Sequence, residues 1–406
     1  MSIAILALNC GSSSVKYQMI DIDSEEVLAG GLVEKIGMDD GNITHSRLGI
    51  KHRIDAAIRD HNEALNLVTR AFATWGPSLE DAVAVGHRTV HGGERFRHTT
   101  LITDEVINGL VELSGLAPLH NPPAIAGIRA AQLALPNVSH VAVFDTAFFS
   151  TLPPEAYTYA IDRDVAKQYG IRKFGFHGTS HSYVSKKAAE FMGLDLASIN
   201  QIVCHLGNGA SISAIRGGQA VETSMGMTPL AGLVMGTRSG DVDPGLFSYL
   251  ERQAGMTAQQ VDDLLNQRSG LAGLTGGISD FRDLWPAIDS GNLDARLAMD
   301  VYVHRLVSYI GSYMAILGRT DLLIFTAGVG ENDFRSKAMV GERLAGFGIE
   351  LDPARNVLAI KKPTVISSDG SSVKVLVIPT NEELAMARQT YQVVSGTTVI
   401  MDEGGR

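Results

Sequence analysis

The chain has 406 residues, 45% of them hydrophobic and 19% charged, which suits a folded protein of about two domains and excludes a disordered one. Its net charge of −10, with no run of Lys and Arg, argues against a nucleic-acid partner. The two cysteines, Cys10 and Cys204, form no CxxC motif and no metal-ligand spacing, as expected in a reducing compartment.

The opening MSIAILALNCGSSS has no basic n-region and its apolar stretch breaks at Asn9, so Ile3–Leu8 reads as a first strand and not as a signal peptide. No stretch approaches the roughly 18 apolar residues of a membrane span, so a cytoplasmic chain without a membrane partner is expected. Val15–Ile22 follows across a Gly-Ser turn and completes a predicted hairpin. Asn62–Trp75 places Leu65, Val68, Phe72 and Trp75 at helical spacing. Val83–Gly86 and His140–Asp145 read as further strands. Between them Asn121-Pro122 opens a helix, with Asn as its cap. Asp294–Leu317 predicts a long helix, apolar around much of its surface and ended by Gly318, which belongs between layers. Val373–Ile378 reads as a buried strand. Thr380–Glu383 then opens a last helix as a capping box, with Thr380 and Glu383 as the reciprocal pair.

This alternation predicts an α/β fold. The first strand ends in Asn9-Cys10-Gly11-Ser12-Ser13-Ser14. A later one ends in His205-Leu206-Gly207-Asn208-Gly209-Ala210-Ser211, the same order of polar residue, small-residue turn and alternating strand. The pair suggests a duplicated domain. A third glycine-rich segment, Gly328-Val329-Gly330-Glu331-Asn332, also follows an apolar strand. Backbone N–H groups in such turns can cradle phosphate oxygens, although a tight turn would explain any one of them alone. The chain has no GxxxxGK[ST], and Gly-Val-Gly-Glu-Asn does not complete GxGxxG, which argues against a P-loop enzyme and a dinucleotide-dependent dehydrogenase.

Several polar residues stand where chemistry would need them. Asp145 ends a buried strand, where it could hold magnesium, act as a base or simply cap. Glu382 sits in the first turn of the last helix, which the helix dipole alone would tolerate. Arg88 and Arg238 are lone cations among glycines, suited to a phosphate or carboxylate and equally to a surface ion pair. His177 and His181 form an HxxxH. Zinc is discounted, because Gly178 and the Thr-Ser pair make a poor helix interior and no third ligand stands out. His120 precedes the helix start and could merely orient its loop.

Together the segments LNCGSSSVKY, GHRTVHGGE, APLHNPP, VFDTAF, FGFHGTSH, CHLGNGASISAI, TSMGMTPLAGLVMGTRSGDVDP, FTAGVGEN and IPTNEEL strongly resemble the acetate kinase family along essentially the whole chain. The resemblance implies an actin-like, ribonuclease H-like fold of two duplicated domains with mixed β-sheets flanked by helices and ATP in the cleft between them. Residues 1–147 with a returning 383–406 would form the first domain. Residues 148–382 would form the second, nucleotide-binding one. A homodimer is implied as well. Carried over by motif, Asp145, Arg88, Arg238, His177 and His120 would be catalytic. Asn9 and Glu382 would hold Mg2+, or Mn2+ in its place. Lys16, His205, Leu206, Gly207, Asn208, Gly209, Asp280, Phe281, Arg282, Gly328, Val329, Gly330, Glu331 and Asn332 would bind ATP or ADP. Arg88, Val90, Leu119, Phe176 and Pro229 would contact the acid. Phe149 stands where the family often has His, and Gly245 where Ala is common, both away from the phosphoryl site.

The implied reaction is a reversible transfer of the ATP γ-phosphoryl group to acetate, giving acetyl phosphate and ADP. A carboxylate is ionised at neutral pH, by analogy with a Glu side chain at about 4.3, so it can attack without a base. What it needs is relief from anion repulsion, which two arginines, a metal ion and an imidazole supply. A β-branched Val90 shortens the pocket. One methylene is worth about 1–3 kcal/mol, so propionate should be the poorer substrate. A propionate or other short-chain fatty acid kinase is the alternative. A sugar kinase, with Asp145 as a true base, and a nucleotide-switch binding protein are more distant rivals.

Overall fold

The computed structural model describes residues 3–358 and 362–397. The chain divides into two compact units. One is built from the chain up to Ala147 and again from Asn381 onward, the other from Phe148–Thr380.

The first unit holds an eight-stranded mixed sheet of β1 Ala4–Cys10, β2 Ser14–Asp21, β3 Val27–Glu34, β4 Asn42–Arg47, β5 Ile50–Asp55, β6 Ala82–Thr89, β7 Thr100–Leu101 and β8 Ser139–Phe144. Its order is β5-β4-β3-β2-β1-β6-β8-β7. The first five strands form an antiparallel meander, and β1, β6 and β8 run parallel. Side chains alternate along a strand, so β1 buries Leu6 and Leu8 on one face and Ala7 on the other. Helix His61–Trp75 presents Leu65, Val68 and Phe72 to the first face. Helix Glu382–Val394 lies on the opposite face, where Met386 meets Ala7 and Val143.

The second unit holds β9 Asn200–Leu206, β10 Ala210–Arg216, β11 Gln219–Thr223, β12 Leu322–Thr326, β13 Thr364–Val365 and β14 Lys374–Val377, in the order β11-β10-β9-β12-β14-β13. This repeats β3-β2-β1-β6-β8-β7 strand for strand, down to the short antiparallel strand at the edge. The duplication read from two hairpins therefore extends over six strands, and the first sheet adds only β4 and β5. Helix Gly178–Met192 covers one face through Val184 and Ala188. The 25-residue helix Leu293–Leu317 packs on β9 and β10 and against three further helices, which accounts for its apolar circumference.

Four local expectations are corrected. Asn121 does not cap its helix; His120 holds that position, and the Asn121 amide instead accepts from the His91 N–H and donates to the His91 carbonyl. Thr380 and Glu383 form no capping box. Asn381, one residue later, accepts from Leu384 N at 3.0 Å, while Thr380 bonds Glu331 and Ser180 and Glu383 pairs with Lys16. In the HxxxH segment a helix does run from Gly178 through His181, because Gly178 stands at the helix start and not in its interior, with His177 outside it as the cap. Gly328–Asn332 is a short helix, Ala327–Asn332, and not an open turn.

Among the described residues no helix is long and apolar enough to cross a membrane. Cys10 and Cys204 are free buried thiols, whose ionisation burial pushes upward.

Candidate active site

In the first unit three parallel strands end side by side. Leu8 of β1 pairs with His87 of β6, so Asn9 and Arg88 are the next positions along. Thr89 of β6 pairs with Phe144 of β8, and Asp145 follows, its N–H donating to the Thr89 carbonyl. Strand ends of this kind line the ligand crevice of an α/β sheet. Arg88 forks onto Asp145, with Nε 3.2 Å from each carboxylate oxygen and Nη2 2.7 Å from Oδ2. Asp145 is 1% exposed. The carboxylate, with Glu382 and Glu383 beyond it, holds the Arg88 guanidinium above its ordinary value.

Glu382 and Glu383 reach this place because the last helix starts there. Gly86, two residues before Arg88 and on the same side of β6, lets that helix approach. Lys16, opposite Asn9 in the β1–β2 hairpin, pairs with Glu383. Burial raises the Glu382 carboxyl above the usual range, and Asp145 and Glu383 add to the rise against Arg88. Three carboxylates thus face two cations. The sequence pointed to Glu383 only as a capping residue and not as part of the site; its place in the first turn of the helix beside Glu382 was the available signal. Of the expected acid-binding residues, Val90 is half-buried and Leu119 is 58% exposed.

In the second unit the site gathers around the β9–β10 turn. Gly207 N donates to the Gly209 carbonyl, and Gly236 N to the Asn208 carbonyl. A Cβ on Gly209 would stand 3.5 Å from Arg238 Nη1 and 3.7 Å from His177 Nε2. Arg238 donates to the Pro229 carbonyl at 3.3 Å and, among the described residues, has no carboxylate partner. Burial lowers its guanidinium from the ordinary value. Its loop is pinned by Asp241, which accepts from Gly232 N, from the Tyr309 hydroxyl and from Arg305. Sequence reasoning missed Asp241, although it stands three residues after Arg238 in the same motif.

His177 has a left-handed backbone, φ 59°, at the head of helix Gly178–Met192. Its ring stacks on His205 with centroids 4.4 Å apart, and its Nδ1 lies 2.9 Å from Ser211 Oγ. His205 pairs across the sheet with Thr326 of β12, so the 207–209 turn and the Ala327–Asn332 helix lie at neighbouring strand ends. Gly328 has open space where a Cβ would be, so no neighbouring atom demands glycine there. Lys337, also missed, is buried and donates to the carbonyls of Gly330 and Glu331; burial brings it down to about 8. Glu331 accepts from Thr380 N, and Asn332 donates back to the Gly328 carbonyl. Asp280 and Arg282 form an exposed pair at the start of helix Phe281–Asp289. Phe281, Leu206 and Phe176 are buried; the Phe281 ring is taken up against Tyr302. Val329 and Pro229 are half-buried.

Duplicated mixed sheets whose parallel strands end in glycine turns, arginines and imidazoles define a phosphotransferase of the two-unit α/β type. The sequence pattern of the acetokinase family matches residues 4–388. The chain is 53% identical over 394 residues to an acetate kinase of Leifsonia xyli subsp. xyli, covering 97% of this chain and 99% of that one. Among solved structures it is similar to acetate kinase of Porphyromonas gingivalis, at 43% identity, TM-score 0.91 and coverage of 97% and 100%. It is also similar to a propionate kinase from Francisella tularensis subsp. tularensis SCHU S4, at 38% identity, TM-score 0.91 and coverage of 96% and 99%. The chain belongs to the acetokinase family.

Proposed function

We propose that the chain is a kinase of acetate, moving the γ-phosphoryl group of ATP to the acid and back. The carrying observation is the contrast between its two arginines. Arg238, half-buried beside His177 and the Gly207–Gly209 turn, lacks a carboxylate partner and is therefore available to an anion. Arg88 is forked onto Asp145, which leaves Asp145 poorly placed to serve as a base. A sugar hydroxyl would need that base, whereas a carboxylate needs none.

In this reading a carboxylate oxygen forms a bond to the γ-phosphorus as the bond to the ADP oxygen breaks, and no proton moves. Arg238 and His177 stabilise the phosphoryl oxygens, Arg88 receives the acid's carboxylate, and His120 lies near it. The glycine turns and the pair Asp280 and Arg282 serve the nucleotide, and the open space over Gly328 supports that use. Lys16 and His205 support it from the strand ends. Asn9 and Glu382 offer the hard oxygen donors that suit magnesium or manganese. Burial and the neighbouring Asp145 and Glu383 raise the Glu382 carboxyl, and a cation beside it would offset that. When bound, the ion would neutralise phosphate charge. A homodimer is part of the proposal, and sedimentation of the purified chain tests it.

Trapping acyl phosphate with hydroxylamine, from ATP, magnesium and equal concentrations of acetate, propionate or butyrate, tests the assignment. The highest kcat/KM is expected with acetate. The likeness to a propionate kinase supports a second reading with the same chemistry, and preference for propionate would establish it. No acyl phosphate from any acid, by protein that binds ATP, would refute both.

A further inference from the structure

In the second unit two serine hydroxyls have imidazole nitrogens as their hydrogen-bond partners among the described residues. Ser213 on β10 is fully buried, and among the described residues its hydroxyl has one partner, His181 Nδ1 at 2.7 Å. Ser211, two residues earlier on the same face, lies between two rings, 2.7 Å from His181 Nε2 and 2.9 Å from His177 Nδ1. Distances alone leave the tautomers open, and the hydrogen count closes them.

A hydroxyl has one hydrogen, and leaving it unpaired in the interior is costly. Ser213 therefore donates to His181 Nδ1. His181 is fully buried, and burial holds it neutral, far below the ordinary imidazole range, so its single ring hydrogen sits on Nε2. That atom donates to Ser211. Ser211, accepting from one ring, gives its own hydrogen to the other, His177 Nδ1. The His177 hydrogen is left on Nε2, the atom that faces the Gly209 turn beside Arg238. Run the other way, the chain would strand the Ser213 hydrogen and turn a lone pair of His177 toward the phosphoryl oxygens.

We propose that Ser213, His181 and Ser211 form a one-way chain of hydrogen bonds that fixes His177 in its Nε2–H tautomer, so that it meets a phosphoryl oxygen only as a donor. The three are positioning residues, and the use of that donor rests on the function proposed above. The chain, together with the stack on His205, also sets the ring's direction at a residue whose backbone is left-handed.

Two-bond 1H–15N correlation spectra of the histidine-labelled wild-type chain, at about pH 8 where ordinary imidazoles are neutral, read the tautomers directly. The His177 and His181 signals are identified by their loss in His177→Gln and His181→Gln. Both rings are expected to carry their hydrogen on Nε2. A hydrogen on Nδ1 of either ring overturns the proposal, and this readout needs no turnover and no folded variant beyond those used for assignment. In kinetics, Ser213→Ala should lower kcat about tenfold, the scale of one lost hydrogen bond, with both KM values held within about twofold. Ser213→Thr should restore most of the rate. In a His177→Ala background the same Ser213→Ala change should cost nothing more, because it acts through His177. An equal loss in both backgrounds overturns the proposal. Absence of acyl phosphate with the tautomers as stated would refute the proposed function and leave the hydrogen-bond chain standing.

Discussion

Gly86→Ala is the sharpest test of how the first unit places its carboxylates. The added Cβ would stand 2.3 Å from Thr390 Oγ1, 3.4 Å from Thr390 Cβ and 3.6 Å from the Met386 carbonyl. Thr390 is fully buried and β-branched, so its hydroxyl has little room to swing away. The last helix must then retreat by roughly 1 Å to reach normal contact. Overpacking of this kind costs about 1–3 kcal/mol. Replacing Gly within a strand returns about 0.5–1 kcal/mol. The net loss, about 1 kcal/mol at the middle of these ranges and about 2.5 kcal/mol at most, corresponds to roughly 2–10 °C in the melting temperature of a unit this size. The same retreat carries Glu382 and Glu383 away from Arg88 and Lys16, so kcat should fall as well. Thr390→Ala removes the clashing oxygen, which has no hydrogen-bond partner among the described residues, and leaves Cβ at an ordinary distance. Calorimetry and steady-state kinetics on the two single variants and the double variant decide the matter. Gly86→Ala should lose stability and rate, and the double variant should regain most of both. A Gly86→Ala protein that melts with the wild type, or losses that simply add in the double variant, would refute the packing argument.

Arg88→Ala and Arg238→Ala should each lower kcat by about 10³–10⁵, the range of an arginine that stabilises phosphoryl charge. Only Arg88→Ala should also destabilise, by about 3–5 kcal/mol, because it abandons the buried Asp145; equal melting of the two variants would contradict this. Lys337 has a folded pKa of about 8 against an ordinary 10.5, so the unfolded chain binds more protons between those values and wild-type stability should rise across that window. Denaturant melts of Lys337→Met should lack that rise, and parallel curves for the two proteins would count against it. Val90→Ala should shift the kcat/KM ratio toward propionate by about tenfold or more, on the scale of one methylene. An unchanged ratio would remove Val90 from the acid's pocket.

Much of the architecture was legible because its signals are local. The strand, glycine turn and returning strand at Asn9–Ser14 and His205–Ser211 sit within a few residues of one another, and both became hairpins of equivalent sheets. The buried long helix followed from its apolar circumference. Partnerships between distant residues were not legible. Asp145 read equally as metal ligand, base or cap, and only the fold brings it against Arg88, 57 positions away. Thr380 and Glu383 have the spacing of a capping box, yet tertiary partners claim both and Asn381 caps in their stead. Phe281 was expected beside the nucleotide from the resemblance alone, and nothing local shows that its ring packs on Tyr302. Ser211 and Ser213 look like ordinary small residues of an alternating strand, and nothing local marks the imidazoles they meet.

The return of the last helix to the first sheet has a consequence for biosynthesis. Residues 148–380 form a continuous stretch whose strands and covering helices are all made before Asn381 leaves the ribosome. The first unit, though begun earlier, keeps one face of β1, β6 and β8 bare until residue 394 is made. Ala7, Gly86 and Val143 wait on that face for Met386 and Thr390. A ribosome that stalled or stopped near position 380 would release a chain with every strand of both sheets, an uncovered apolar face and neither Glu382 nor Glu383. Such a product would be a natural client for chaperones, and its earliest-made segment would be the part still unfinished.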